Sequence, residues 1–359
     1  MSKERIFFPA IESLRAIAVI MVMLAHFIPK EHPYYIPYLW YGVDLFFTIS
    51  GFLITYILIV QVHQSNGHSS GVIIKNFFVR RILRLFPVYY AFIGFFFLLR
   101  NVFSVYIWTN DYNFYFFTYL QNMYFFYQGA LNTSFSHLWS LGVEEQFYLV
   151  WPFIIIFLPV RYYLQIFIGL VVIALGTNIW FQPEVDAFRV LTIANLHTLG
   201  AGATLAFLYY YRQENRLYVW IKDHRMMLFS IVFAGFIVIL NVDIENKRLN
   251  IFLIETFLMF TTFMAVQLSI TGWPKALRFI FDNRFVHHIG KVSYGIYLFH
   301  MLVPVVLGVA IAKLPLFSFL IPEAIWIRAL LLMGYSYTLA VISYYSFERY
   351  FLRMKSNFN

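Results

Sequence analysis

The chain has 359 residues, 61% hydrophobic, 22% aromatic and only 12% charged, with a formal net charge of +9 and no cysteine. A soluble domain has too little interior to hide so many Phe, Tyr and Ile side chains, whereas a bilayer accepts them as outward surface, so the composition indicates an integral membrane protein. The absent cysteines exclude disulfides, thiolate nucleophiles and Cys-ligated metals, and apolar runs interrupt the basic residues, so no continuous patch for nucleic acid forms.

At about 20 apolar residues per crossing, ten spans are expected, at roughly residues 11–28, 40–62, 87–107, 139–159, 163–181, 190–210, 226–241, 250–271, 292–312 and 325–347. The predicted fold is an all-α polytopic bundle of about ten transmembrane helices, one domain over residues 1–359. The aromatic stretch 112–127 reads as a loop helix at the interface. Lys3 and Arg5 before the first span resemble a signal peptide, yet no small-residue cleavage site follows His26, so the span reads as retained. An even count puts both termini on one side. Lys3, Arg5, Lys75, Arg80, Arg81, Arg84, Arg161, the 212–225 and 275–291 loops, Arg349, Arg353 and Lys355 all fall there, which makes that side cytoplasmic. Residues 64–71 and 241–250 are the polar breaks, and no internal repeat is evident.

The first span carries Arg15 and His26, eleven positions apart. That spacing returns to nearly the same helical face, displaced by ~16 Å. Glu12 joins Arg15 at i,i+3. Ionisable groups inside a span face a bundle interior or a wet cavity, and that cavity is the candidate active site. Asp44, near the outer end of the second span, lies at the depth assigned to His26 and suits it as an orienting carboxylate; an acid solvated at the membrane edge is the competing account. Phe77 to Tyr90 reads FFVRRILRLFPVYY. A helix here presents Arg80, Arg81 and Arg84 as a guanidinium cluster ending at Pro87, suited to phosphate but equally demanded by topology and anionic lipids. The fourth span opens with His137, Trp139, Glu144, Glu145, Gln146 and Tyr148, where Glu144 and Tyr148 share a face with His137 nearby. Such polar groups line a site or pin helices together. His197 reads as a packed polar residue. Ser293, Tyr294, Tyr297 and His300 in the ninth span suit bundle hydrogen bonding first and cavity lining second.

In this order, the Arg15-x10-His26 pair, GVDLFFTISGFLI, FFVRRILRLFPVYY, HLWSLGVEEQFYLVWPF and GKVSYGIYLFH resemble the acyltransferase-3 family along essentially the whole chain. Tyr350 stands where that family often has proline. Many members also carry an SGNH-type esterase-like domain, which does not follow within these 359 residues, so transfer is expected to be completed by the membrane domain or by a separate protein. The resemblance implies a bacterial inner-membrane enzyme moving an acyl group, usually acetyl, from cytoplasmic acetyl-CoA to a hydroxyl at the outer face. The acceptor is expected to be a carbohydrate of the O-antigen, exopolysaccharide or peptidoglycan type, with membrane lipids as the surroundings and no metal. It makes His26 the catalytic histidine, Arg15 its motif partner, Asp44 and Glu144 the motif acids, and Arg81 with Arg84 the paired arginines.

The residues agree with this chemistry. A thioester needs no metal, while an attacking hydroxyl must lose its proton, and a histidine suits that near neutral pH. Arg80, Arg81, Arg84 and Tyr148 are assigned to the donor, and His137, Trp139, Ser293 and Tyr297 to the acceptor. Arg15 lines the conduit, binds phosphate or stabilises an oxyanion, and direct transfer and an acyl-histidine both remain open. A proton-coupled transporter or flippase for a glycan or lipid is the alternative function, since it too needs intramembrane His, Asp, Glu and Arg.

Overall fold

The computed structural model describes residues 8–64, 69–103, 112–129, 133 and 135–358. Lys3, Arg5, the centre of the 64–71 break and the end of the expected third span lie outside these residues. In chain order the helices are α1 (Pro9–Phe27), α2 (Gly42–His63), α3 (Ser70–Phe103), α4 (Tyr112–Phe117), α5 (Gln121–Gln128), α6 (Trp139–Phe157), α7 (Tyr163–Phe181), α8 (Thr192–Tyr211), α9 (Arg216–Asp223), α10 (Arg225–Asn241), α11 (Lys247–Thr271), α12 (Arg278–Phe281), α13 (Arg284–Lys291), α14 (Ser293–Phe299), α15 (Leu302–Lys313), α16 (Ile325–Ser343) and α17 (Arg349–Met354). There is no strand among the described residues. Local signals set several boundaries. Pro9 opens α1, where its missing N–H costs nothing. Asn215, Asn246 and Asn283 cap α9, α11 and α13, each side chain accepting from two backbone N–H groups.

Among the described residues, seven helices are long and apolar enough to cross a membrane, and two bent pairs, α9–α10 at 74° and α14–α15 at 42°, raise this to nine. The remaining expected span is α8, whose 20 residues reach across a bilayer core but include Asn195, His197, Thr198, Gly200 and Gly202. It tolerates this composition because it is wedged inside the bundle. A Cβ on Gly202 would lie 2.1 Å from the Thr48 carbonyl oxygen of α2, one on Gly51 2.1 Å from that of Leu199, and one on Gly200 3.2 Å from that of Phe167 on α7. Small residues let three backbones approach this closely. Gly202→Leu is therefore expected to destabilise the bundle by about 3 kcal/mol or more, read as a lowered melting temperature in thermal-shift size exclusion. Gly334→Ala, beside open space, should leave it unchanged.

The third span differs from its expected form. The basic segment and the span form one helix, α3, of 34 residues with Pro87 inside it. Proline removes a single hydrogen bond, and neighbouring helices in a membrane bundle compensate for it. At ~50 Å the helix exceeds a hydrocarbon core of ~30 Å, which leaves room for its arginine-bearing first half to approach a membrane surface. The break between α14 and α15 has a local cause in Pro304, which cannot bond the His300 carbonyl four residues back and clashes with it. A π-helical turn, Tyr344–Glu348, joins α16 to α17 and turns Glu348 inward, where Ser343 Oγ donates to it at 3.0 Å.

The core lies around α1 and α2. The α2 span is 78% buried, whereas those of α7 and α16 are 17% and 22% buried. Outward side chains such as Phe95, Leu149, Val172, Trp180, Ile231 and Leu330 are exposed, an apolar belt that only lipid would cover at no cost.

Candidate active site

A cavity enclosing about 820 Å³, its open mouth included, lies among α1, α2, α3, α6 and α14. Arg15, Arg81, Arg84, Glu144, Tyr148, Ser50, Ser140, Ser293, Tyr294 and Tyr297 supply its polar wall, and Phe46, Phe47, Ile49, Leu53 and Ile54 much of its apolar wall. Arg81 and Arg84 reach it together because they are one turn apart on α3. Arg81 lies over the Tyr148 ring at 5.1 Å, a cation–π placement. The Tyr148 hydroxyl donates to Glu144 Oε2 at 3.1 Å and also bonds Ser50 Oγ. Arg15 pairs with Glu12 at 3.6 Å. Among the described residues neither Arg81 nor Arg84 has a carboxylate within ion-pair distance, and the buried Ser293 Oγ has no hydrogen-bond partner. Guanidiniums held toward an open cavity without a paired anion favour an anionic ligand there.

His26 stands further along α1 and faces the bundle. Its ring centroid is 4.4 Å from Trp40, 4.8 Å from His300 and 6.3 Å from His137. Tyr297 connects these histidines to the cavity. Its ring is 5.7 Å from both His137 and His300, and its hydroxyl meets Ser140 Oγ at 2.6 Å and the His137 carbonyl at 2.7 Å.

Three expected placements are corrected. Asp44 does not meet His26: its carboxylate is paired with Arg189 at 2.9 Å, and Arg189 lies over the Tyr41 ring at 4.8 Å. His197, beside them, is the packed polar residue expected, fully buried and paired with Glu255 at 3.0 Å. The ligand atoms of Asp44, His197 and Glu255 all lie within 4.8 Å of one another, but Arg189 already faces Asp44, and two carboxylates opposite a guanidinium and an imidazole can balance their own charge. Arg80 does not line the cavity: its Nε donates to the Asn76 carbonyl at 3.2 Å. Trp139 is absent from the cavity wall and packs edge-on to Phe47 at 5.8 Å. Of the other expected site residues, Arg15, Arg81, Arg84, Glu144, Tyr148, Ser293 and Tyr297 line the cavity, while His26 and His137 stand beyond Tyr297. Sequence reasoning underrated His300 and missed Arg189 and Glu255. Glu255 had a legible signal as the lone acid inside an apolar span.

Fold and site together define a polytopic membrane protein with a guanidinium-lined cavity and, on the far side of Tyr297, a cluster of three histidines. The model of the acyltransferase domain of the acyltransferase-3 family matches residues 8–345, and the chain belongs to that family. It is 30% identical to the peptidoglycan O-acetyltransferase OatA of Listeria monocytogenes over 83% of this chain and 49% of that protein. It is 31% identical to a putative O-acetyltransferase of Staphylococcus aureus over 84% and 51%, and 26% identical to the putative peptidoglycan O-acetyltransferase YrhL of Bacillus subtilis over 82% and 48%. The chain thus spans about half the length of these relatives. No solved structure matches it.

Proposed function

We propose that this protein is a membrane O-acyltransferase that moves an acetyl group from cytoplasmic acetyl-CoA to a hydroxyl of an extracytoplasmic glycan. In this reading it sits in a bacterial inner membrane with both termini cytoplasmic. The observation that carries the reading is the cavity itself, with Arg15, Arg81 and Arg84 in its wall and Tyr297 linking it to His26. The names of the relatives support the acetyl group and a carbohydrate acceptor of the peptidoglycan type.

Arg81 and Arg84 would hold the donor's phosphates through paired, charge-assisted bonds. The acceptor hydroxyl gives its proton to His26 as its oxygen attacks the thioester carbonyl. The C–S bond then breaks, and the departing sulfur takes a proton, leaving an acetyl ester and CoA thiol. Direct transfer needs no further group, while an acyl-histidine route uses the same ring in two steps.

Purified protein in proteoliposomes with labelled acetyl-CoA and a glycan acceptor tests this. Label should pass to the glycan, whereas a transporter would leave the thioester intact. Arg81→Ala and Arg84→Ala should each raise KM for acetyl-CoA about tenfold, the worth of roughly one charge-assisted hydrogen bond. Arg80→Ala should leave KM unchanged, because its side chain stays on its own helix.

A further inference from the structure

We propose that His300 is a positioning residue that orients His26 and shares the positive charge the ring acquires, the part a carboxylate plays for other histidine bases. This rests on the reading of His26 as the base.

The donors and acceptors around the two rings fix their tautomers. His300 Nδ1 lies 2.6 Å from the Tyr297 carbonyl oxygen. A carbonyl can only accept, so this nitrogen carries the proton, and in the neutral ring Nε2 is a bare acceptor. His26 Nδ1 lies 2.8 Å from the Val22 carbonyl oxygen and is protonated for the same reason. His300 Nε2 is 3.4 Å from His26 Nδ1. With these tautomers all three contacts are complementary: His26 Nδ1–H is shared between Val22 O and His300 Nε2, and His26 Nε2 keeps its lone pair free for an acceptor hydroxyl.

The broken span supplies the geometry. Pro304 interrupts the helix at His300, so the imidazole, fully buried, sits at the end of α14 and bonds back to Tyr297. When His26 takes a proton, its Nδ1–H becomes a stronger donor, and the bond to His300 strengthens as the charge develops. Asp44, the carboxylate expected beside His26, is paired with Arg189 instead, and the acceptor that meets His26 Nδ1 is the His300 ring.

Three substitutions test this in reconstituted protein. Gln places its amide oxygen near the position of Nε2, Asn reaches toward Tyr297 but stops short of His26, and Phe keeps the ring without an acceptor. His300→Phe and His300→Asn are expected to lower kcat about 10- to 100-fold, with KM for acetyl-CoA within twofold, the effect of losing one hydrogen bond to a charged group. His300→Gln should recover most of that loss. Added to His26→Ala, His300→Phe should cost nothing further, because its effect passes through the missing ring. If His300→Phe does not fold, the Asn and Gln pair decides. The proposal is overturned if His300→Gln is no better than His300→Asn, if KM rises while kcat holds, or if His300→Phe retains kcat within twofold. An inactive His26→Ala beside a fully active His300→Phe would sink this inference alone. An active His26→Ala would sink the reading beneath it.

Discussion

His26→Ala is expected to lower acetyl transfer about 10²- to 10⁴-fold, the usual contribution of a positioned acid–base group, in protein that still elutes as a folded species. The ring is partly exposed and meets Trp40, His300 and His137 mainly by their edges, so truncation removes modest packing and leaves the helix backbone intact. The loss should therefore appear in turnover and not in melting temperature. KM for acetyl-CoA should change little, because the arginines assigned to the donor lie in the cavity wall, separated from His26 by Tyr297. Direct transfer and an acyl-histidine route predict the same loss, since both use this ring. Turnover of labelled acetyl-CoA within tenfold of the unaltered protein would remove His26 from the reaction.

A second large effect is expected at Asp44, of the opposite kind. Asp44→Ala should destabilise the bundle by about 2–3 kcal/mol, because it removes the carboxylate that pairs with the partly buried Arg189 guanidinium. Asp44 and Glu255 are both buried, and their network ties α2 to the segment before α8 and to α11. Glu255→Gln should act in the same direction. Pairing Asp44→Ala with Arg189→Met should recover part of the stability, since removing both charges avoids the stranded one. Thermal-shift size exclusion measures all three. At low temperature, the folded fraction of Asp44→Ala should retain turnover per molecule within several-fold. A normally stable Asp44→Ala protein without activity would return Asp44 to the chemistry.

These cases mark where local pattern stops being informative. The pair Arg15 and His26 was legible because a helical period places both on one face whatever surrounds the helix. Arg81 with Arg84, and Glu144 with Tyr148, were legible for the same reason. The partner of Asp44 was not. Depth in the membrane made His26 plausible, but depth leaves the direction around the bundle open, and α2 turns this side chain toward Arg189, 145 positions later. The contact between His26 and His300, 274 positions apart, lay equally out of reach, even though the segment ending at His300 stood out.

Composition and hydropathy alone determined that this chain is a helical membrane bundle, roughly where its spans fall, and which charged residues share a helix face, because each of these depends on neighbours within a few turns. Only the tertiary structure decided that α8 is an inner wall of glycine contacts, that α3 runs through Pro87, and which buried charge meets which. Those outcomes depend on the order and rotation of helices around the bundle, which are set by the close packing of distant surfaces and are encoded in no single period of the sequence.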